Sequence, residues 1–242
     1  MSQPVTSRRD RVRQATLAEI HATARRLLVT RGPGAVTINA VAREMGMSGP
    51  SLYHYYASHD ELVGAVAAGF FRELTETMER ARDEQAEAAL SDRLLATCRA
   101  LRSWVTTHPA EFSWVFASTI SEPNRTPGSA RLEAAQRFEH ILLELIVELW
   151  QRRPFPVPDL DDLPRSLRDQ LAAYSASIDE RLPVEAAHVF LSCWIKLYGL
   201  LCMEVLHQLD FAFTDLEPVF EQCLREMSAA LGLEYAAPAP VT

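Results

Sequence analysis

Residues 37–56 read TINAVAREMGMSGPSLYHYY. Ile38, Val41, Ala42 and Met45 recur as one helix face. Thr37 stands before them with a hydroxyl suited to capping that helix, and Gly46 ends it after about two turns. Ser48 then caps a second, very short helix. Pro50 falls in its first turn, where a missing N–H costs little. Two short helices joined by a tight glycine turn make a helix-turn-helix. The aromatic run Tyr53-His54-Tyr55-Tyr56 divides by phase. Leu52 points inward, at least two of Tyr53, His54 and Tyr55 must face out, and Tyr56 is expected in the core. An outward tyrosine hydroxyl is a good phosphate donor. Small residues at the start of the second helix suit close approach to base edges in a major groove.

The flanking sequence supports this. Leu17, Ile20, Ala24, Leu27 and Leu28 mark one face of a helix over 11–31, which RGPGAVT (31–37) breaks. Ser58 caps a further helix with Asp60 and Glu61 in its first turn and an apolar face of Leu62, Val66, Phe70 and Leu74. Residues 1–10 read as a flexible basic arm, and 11–72 as the DNA-binding domain. Residues 1–56 hold eight arginines against three acids, a net of +5; this leaves −13 for the remainder of a chain whose net charge is −8. A basic head on an acidic body implies that only the head meets an anion.

The segment TINAVAREMGMSGPSLYHYYASHDELVGAV (37–66) closely resembles the DNA-binding segment of the tetracycline-repressor (TetR) family. Thr37, Val41-Ala42, Gly46, Ser48, Leu52-Tyr53 and Leu62 match its T-x-x-x-I/V-A-x-x-x-G-V-S-x-x-x-L-Y-x-x-F and S-K-x-x-L patterns. The likeness runs over roughly 12–70. Tyr56 replaces a usual Phe and His59 a usual Lys. The resemblance implies that Thr37, Tyr53 and His59 hold phosphates. Gly49, Pro50, Ser51 and His54 would face bases, with Ser48 capping the helix that presents them. Tyr55 would lie at the groove edge and Asn39 would contact either. Arg8, Arg9, Arg11 and Arg13 would add phosphate or minor-groove contacts.

Residues 73–233 continue as helices and no strand pattern appears, so the expected fold is all-α with about nine to ten helices. Residues 234–242 are expected to be a disordered tail. FLSCWIKLYGLLCMEV (190–205) resembles the W-x-x-x-H-G-L-x-x-L-E pattern of one TetR branch, with Tyr198 in place of His. The resemblance implies a ligand-binding and dimerisation domain. Trp104, His108, Phe112, Phe116, Trp194 and Tyr198 are candidate pocket residues; ordinary core packing is the alternative for each aromatic. The helices expected over 183–209 and 215–231 are apolar over more than one face. They are expected to pair two copies through Gly199, Met203, Leu216, Phe220 and Leu224. Lys196, the sole lysine, is read as snorkelling or as reaching a dimer partner or an anionic ligand.

Cys98, Cys193, Cys202 and Cys223 lack paired spacing and read as reduced core thiols of a cytoplasmic protein. No signal-peptide pattern opens the chain, and the apolar run 189–203, broken by Lys196, is read as too short to span a bilayer. Glu185–His188 and Glu204–His207 share one expected helix about 28 Å apart, so they cannot share a metal within one chain. No metal or cofactor is expected, and no enzyme motif is present. The expected function is a dimeric repressor that leaves a palindromic operator when a small apolar effector binds. A helical-bundle enzyme of the di-metal or terpene-binding kind and a DNA binder without a ligand are the alternatives.

Overall fold

A computed structural model of the chain describes residues 7–116 and 121–238. Its regular elements are all helical, as expected: α1 (Arg8–Arg31), α2 (Ile38–Glu44), α3 (Gly49–Tyr53), α4 (His59–Asp83), α5 (Leu90–Thr107), α6 (Pro109–Phe116), α7 (Ala130–Arg152), α8 (Arg165–Ser177), α9 (Val184–Val205) and α10 (Glu217–Ala230). The chain divides into two compact units. One holds residues up to Glu73 together with 108–138; the other holds 74–107 and the residues from 139 onward.

In the first unit, α1 packs against α2 and α6, and the buried side chains are Ile20, Ala24, Leu27 and Leu28 of α1, Ile38, Val41 and Ala42 of α2, Leu52 of α3, and Leu62, Val66 and Phe70 of α4. Of the basic arm expected over 1–10, residues 8–10 are helical, because Ser7 accepts from the Asp10 amide at 3.1 Å and Asp10 favours the helix dipole. The remainder, 1–6, lies outside the described residues. The domain boundary expected at 72 falls inside α4, and residues 108–138 join the head. Phe112, Phe116 and Phe138 form an aromatic cluster with Phe71 of α4, with ring centroids 4.7–5.8 Å apart.

In the second unit α9 packs against α5, α8 and α10. It buries Ala186, Ala187, Phe190, Cys193, Leu197, Leu201 and Val205 along one stripe. The four cysteines are free thiols; burial pushes Cys98 up to about 12 and Cys193 up to about 11, so both stay protonated at neutral pH. The helix containing the apolar run 189–203 is longer than that run, and by length and composition α9 could cross a membrane. Its burial against three neighbouring helices explains the apolar content in part. The tail expected to be disordered is docked through Ala236. Tyr235 donates to Glu221 at 2.6 Å under the Arg225 guanidinium, and Arg99 donates to the Ala236 carbonyl at 2.7 Å. Residues 239–242 lie outside the described residues.

Candidate nucleic-acid interface

The helix-turn-helix consists of α2, a tight turn and α3. Thr37 caps α2 by accepting from the Ala40 amide at 3.1 Å. Gly46 adopts φ +67°, a left-handed conformation that costs a side-chain-bearing residue energy. The Met47 amide then reaches back to the Ala42 carbonyl at 2.8 Å, closing the helix end. Ser48, at φ −75° and ψ 147°, caps α3 by accepting from the Ser51 amide at 3.3 Å. The Ser48 and Ser51 hydroxyls also share a 2.7 Å hydrogen bond. A Cβ at Gly49 would lie 2.9 Å from Asn39 Oδ1, so the small residue lets α2 and α3 approach.

The aromatic run divides as its phase requires. Tyr53 is 52% exposed, His54 is exposed, Tyr55 is half-buried and Tyr56 is only 6% exposed. Tyr56 and His21 of α1 share a 2.7 Å hydrogen bond. Burial, and then the Arg72 charge, holds His21 below the usual imidazole range. Arg13 lies over the Tyr55 ring at 5.3 Å and joins the first turns of α1 to the end of α3. Thr37, Asn39, Ser48 and Pro50 are exposed, and Gly49 and Ser51 are half-buried. His59 is exposed too, but its Nε2 bonds the Val36 carbonyl at 2.8 Å, so that nitrogen ties α4 to the turn before α2 instead of reaching for a phosphate.

The head's arginines are not equivalent. Arg26 and Arg31 both pair with Glu44, at 3.6 and 3.1 Å. Arg25 donates to Glu111 at 2.6 Å and to Glu73 at 2.7 and 3.3 Å. Arg8, Arg9, Arg11, Arg13 and Arg43 are exposed and form no ion pair among the described residues. Of these five, Arg43 lies on α2 and Arg13 stands beside the end of α3 through its stack on Tyr55, next to the outward hydrogen-bond groups of α2 and α3. Sequence reasoning missed the Arg13–Tyr55 stack and the diversion of Arg25, which link residues 42 or more positions apart.

The six candidate pocket residues are divided between the two units, three in each. His108, Phe112 and Phe116 belong to the first unit, His108 with a nitrogen 3.6 Å from Glu73 and the two phenylalanines in the aromatic cluster. Trp104, Trp194 and Tyr198 belong to the second, where Trp194 and Tyr198 stack at 5.4 Å. Of the six, only Trp194 lines the apolar slot between α5, α7, α9 and α10, beside Leu94, Cys98, Phe190 and Cys193. That slot has about 10 Å³ of free volume, room for about one water.

The residues of the expected pairing surface differ in exposure: Met203 is exposed, Gly199 and Leu216 are half-buried, and two others are buried. Phe220 and Leu224 are each 1% exposed, because α10 spends its apolar face on the core of its own chain. Arg102 lies over the Phe220 ring at 5.1 Å and grips Glu204 at 2.7 and 3.0 Å, so Glu204 is committed to an ion pair. The outward apolar stripe is on α9: Ile195 (69% exposed), Gly199, Met203 and Leu206. A Cβ at Gly199 would meet nothing within 4 Å. Lys196 is exposed, 4.0 Å from Glu226 of α10.

Comparison with known proteins bears on this surface. A family model described as "Bacterial regulatory proteins, tetR family" matches residues 20–66. Another, "Tetracyclin repressor-like, C-terminal domain", matches residues 94–227, more than half of the chain. The chain is 33% identical over 141 residues to the HTH-type transcriptional regulators Rv1816 of Mycobacterium tuberculosis and Mb1846 of Mycobacterium bovis; the match spans 57% of this chain and 60% of each relative. The solved structure of the regulatory protein SCO4313 superposes with a TM-score of 0.70 at 25% identity, covering 93% of this chain and 100% of that one. A protein of unknown function from Rhodococcus sp. RHA1 has a TM-score of 0.62 at 18% identity, covering 93% and 98%, which speaks to fold alone.

Proposed function

The chain belongs to the tetracycline-repressor family of transcriptional regulators, and from that premise we propose that it is a dimeric repressor which reads a palindromic operator in the cytoplasm and responds to a small apolar molecule. The observation that carries the DNA-reading part is the outward N-terminal end of α3. Ser48, Gly49, Pro50, Ser51 and His54 present there, with Thr37, Tyr53, Arg43 of α2 and the Tyr55-stacked Arg13 in the same motif region. In this reading Ser51 and His54 meet bases, and Tyr53 and the arginines meet phosphates. Asn39 acts by packing on Gly49, and Tyr55 by holding Arg13.

Pairing of two copies is assigned to the α9 stripe of Ile195, Gly199, Met203 and Leu206, since solvent-facing apolar residues at helical spacing need a cover. The effector is assigned to the slot beside Trp194. Its lining offers thiols and hydrocarbon and almost no hydrogen-bond groups, which selects an apolar molecule. Such a molecule must part the helices to enter, because the slot holds about one water. The closed slot equally suits a regulator that binds DNA without any effector, and this is the second reading.

Selection of duplexes from a random library tests the proposal. The expected result is an inverted repeat whose half-sites are about one or more helical turns apart. Recovery of no duplex above background rejects DNA reading. A metabolite screen by tryptophan fluorescence, repeated with the selected duplex present, separates the two effector readings. A regulating hit binds the duplex complex more weakly by the factor with which it weakens DNA binding.

A further inference from the structure

Eight polar side chains are buried among the described residues. Five are threonine or serine hydroxyls, which cost less to bury than a charge; Thr97 and Ser175 donate to carbonyls at 2.7 and 2.6 Å. The other three are Glu111, Asn124 and Arg131, and all fall between residues 108 and 138. Burying a carboxylate, an amide and a guanidinium is costly unless each is held by partners. Each of the three meets α1, α4 or the segment's own backbone within the first unit.

Glu111 Oε1 accepts from Arg25 Nε at 2.6 Å, while the other two nitrogens of that guanidinium donate to Glu73. The planar fork of α1 is thus filled by one carboxylate from α6 and one from α4. Asn124 Nδ2 donates to the Asp60 carbonyl in the first turn of α4 at 3.0 Å and to Ser121 Oγ at 3.1 Å. Its amide lies against Gly64, where an added Cβ would overlap Asn124 Oδ1 and stand 2.9 Å from Cγ. Arg131 donates to the Val115 carbonyl at 3.1 Å with its guanidinium 5.5 Å above the Phe71 ring of α4.

We propose that residues 108–116 and 121–138 hold the reading helices in a fixed direction, with Glu111, Asn124 and Gly64 as positioning residues. The inference rests on the DNA-reading function proposed above. The holds on α4 are far apart: Asp60 and Glu73 are thirteen residues, or about 20 Å, along one helix. The first turn of α4 is bonded in turn to the turn before α2 through His59 and Val36. A tilt of about 5° over that lever moves the helix start by about 2 Å. A dimer spanning successive major grooves, roughly 34–36 Å apart, is sensitive to such a shift in each head. Nothing in this arrangement touches DNA, so its effect is on affinity through geometry.

The experiment uses the full chain and the duplex recovered by selection. Gly64→Ala, Asn124→Ala and the double variant are compared for duplex affinity, thermal melting and amide exchange over residues 59–64. Each single substitution is expected to weaken binding about tenfold in a chain that still melts cooperatively. The double variant is expected to bind no more weakly than Asn124→Ala, because Gly64→Ala acts by displacing Asn124. Glu111→Gln, which keeps an acceptor for Arg25 Nε, stays near the wild-type affinity, and Glu111→Leu does not. Wild-type binding combined with unchanged affinity in the folded variants, or additive losses in the double variant, overturns the proposal. If the wild-type chain binds no duplex, DNA reading fails, and exchange decides positioning by itself: faster exchange over 59–64 in Asn124→Ala supports it and unchanged exchange overturns it.

Discussion

Four successive residues divide by environment: Tyr53 and His54 are exposed, Tyr55 is half-buried and Tyr56 is buried, and this separation gives the reading helix its outward chemistry. Removing the Tyr53 hydroxyl by Tyr53→Phe should weaken binding about equally on every duplex, whereas Ser51→Ala or His54→Ala should change which duplex is preferred. Competition assays with single-position operator variants distinguish the two patterns. The His21–Tyr56 pair has a different consequence. Native His21 resists protonation, while the unfolded imidazole takes a proton near 6.5. Below that pH the unfolded chain binds more protons, so stability falls as pH drops from about 6.5 toward the lowered native value and is unaffected above it. Denaturant midpoints measured between about pH 5 and 7.5 should show this decline, and His21→Gln should flatten it; parallel curves would contradict it. The inward and outward phases of Tyr53 and Tyr56 were legible in the sequence because helical periodicity fixes them. The bond of His59 to Val36 and the diversion of Arg25 to Glu111 were not. Their partners lie 23 and 86 residues away, and no local pattern encodes such pairings.

Gly46 directs the chain from α2 into α3 at φ +67°, so Gly46→Ala should cost about 1 kcal/mol in chemical denaturation. Its cap residues, the turn and the helix bounds could be read from TINAVAREMGMSGPSL because each is a local backbone requirement. The longer helices were harder to read for a physical reason. Apolar width shows that a helix is covered on several sides, without saying by what. Phe220 and Leu224 of α10 read as surplus surface, yet they face the core of their own chain, and the uncovered stripe lies on α9 at Ile195, Met203 and Leu206. Ile195→Asp or Met203→Asp should therefore lower the molar mass seen by light scattering while leaving the melting transition cooperative. Leu224→Asp should unfold the chain, because a carboxylate would replace a fully buried leucine.

The separation of a basic N-terminal stretch from an acidic remainder is visible in the sequence, and the structure refines which charges face outward. Arg25, Arg26 and Arg31 are held by Glu111, Glu73 and Glu44, so the positive surface is carried by Arg8, Arg9, Arg11, Arg13 and Arg43. A net charge of −8 disfavours nonspecific attraction of the whole chain to DNA. In the proposed reading, the pairing of two heads then supplies both the affinity and the demand for an inverted repeat. The division into units was only partly legible, since residues 108–138 are bound to the head by Glu111, Asn124 and the phenylalanine cluster, all of which are partnerships distant in sequence. The most direct test is the affinity for the selected inverted repeat, and for a duplex with one half-site scrambled, measured across a salt series. Each neutralised phosphate contributes about −0.9 to the slope of log K against log salt, so a dimer engaging at least four phosphates should give a slope of about −3.6 or steeper. The account predicts that slope and a marked loss of affinity on scrambling one half-site. A salt-independent affinity, or equal binding to the intact and scrambled duplexes, would contradict it.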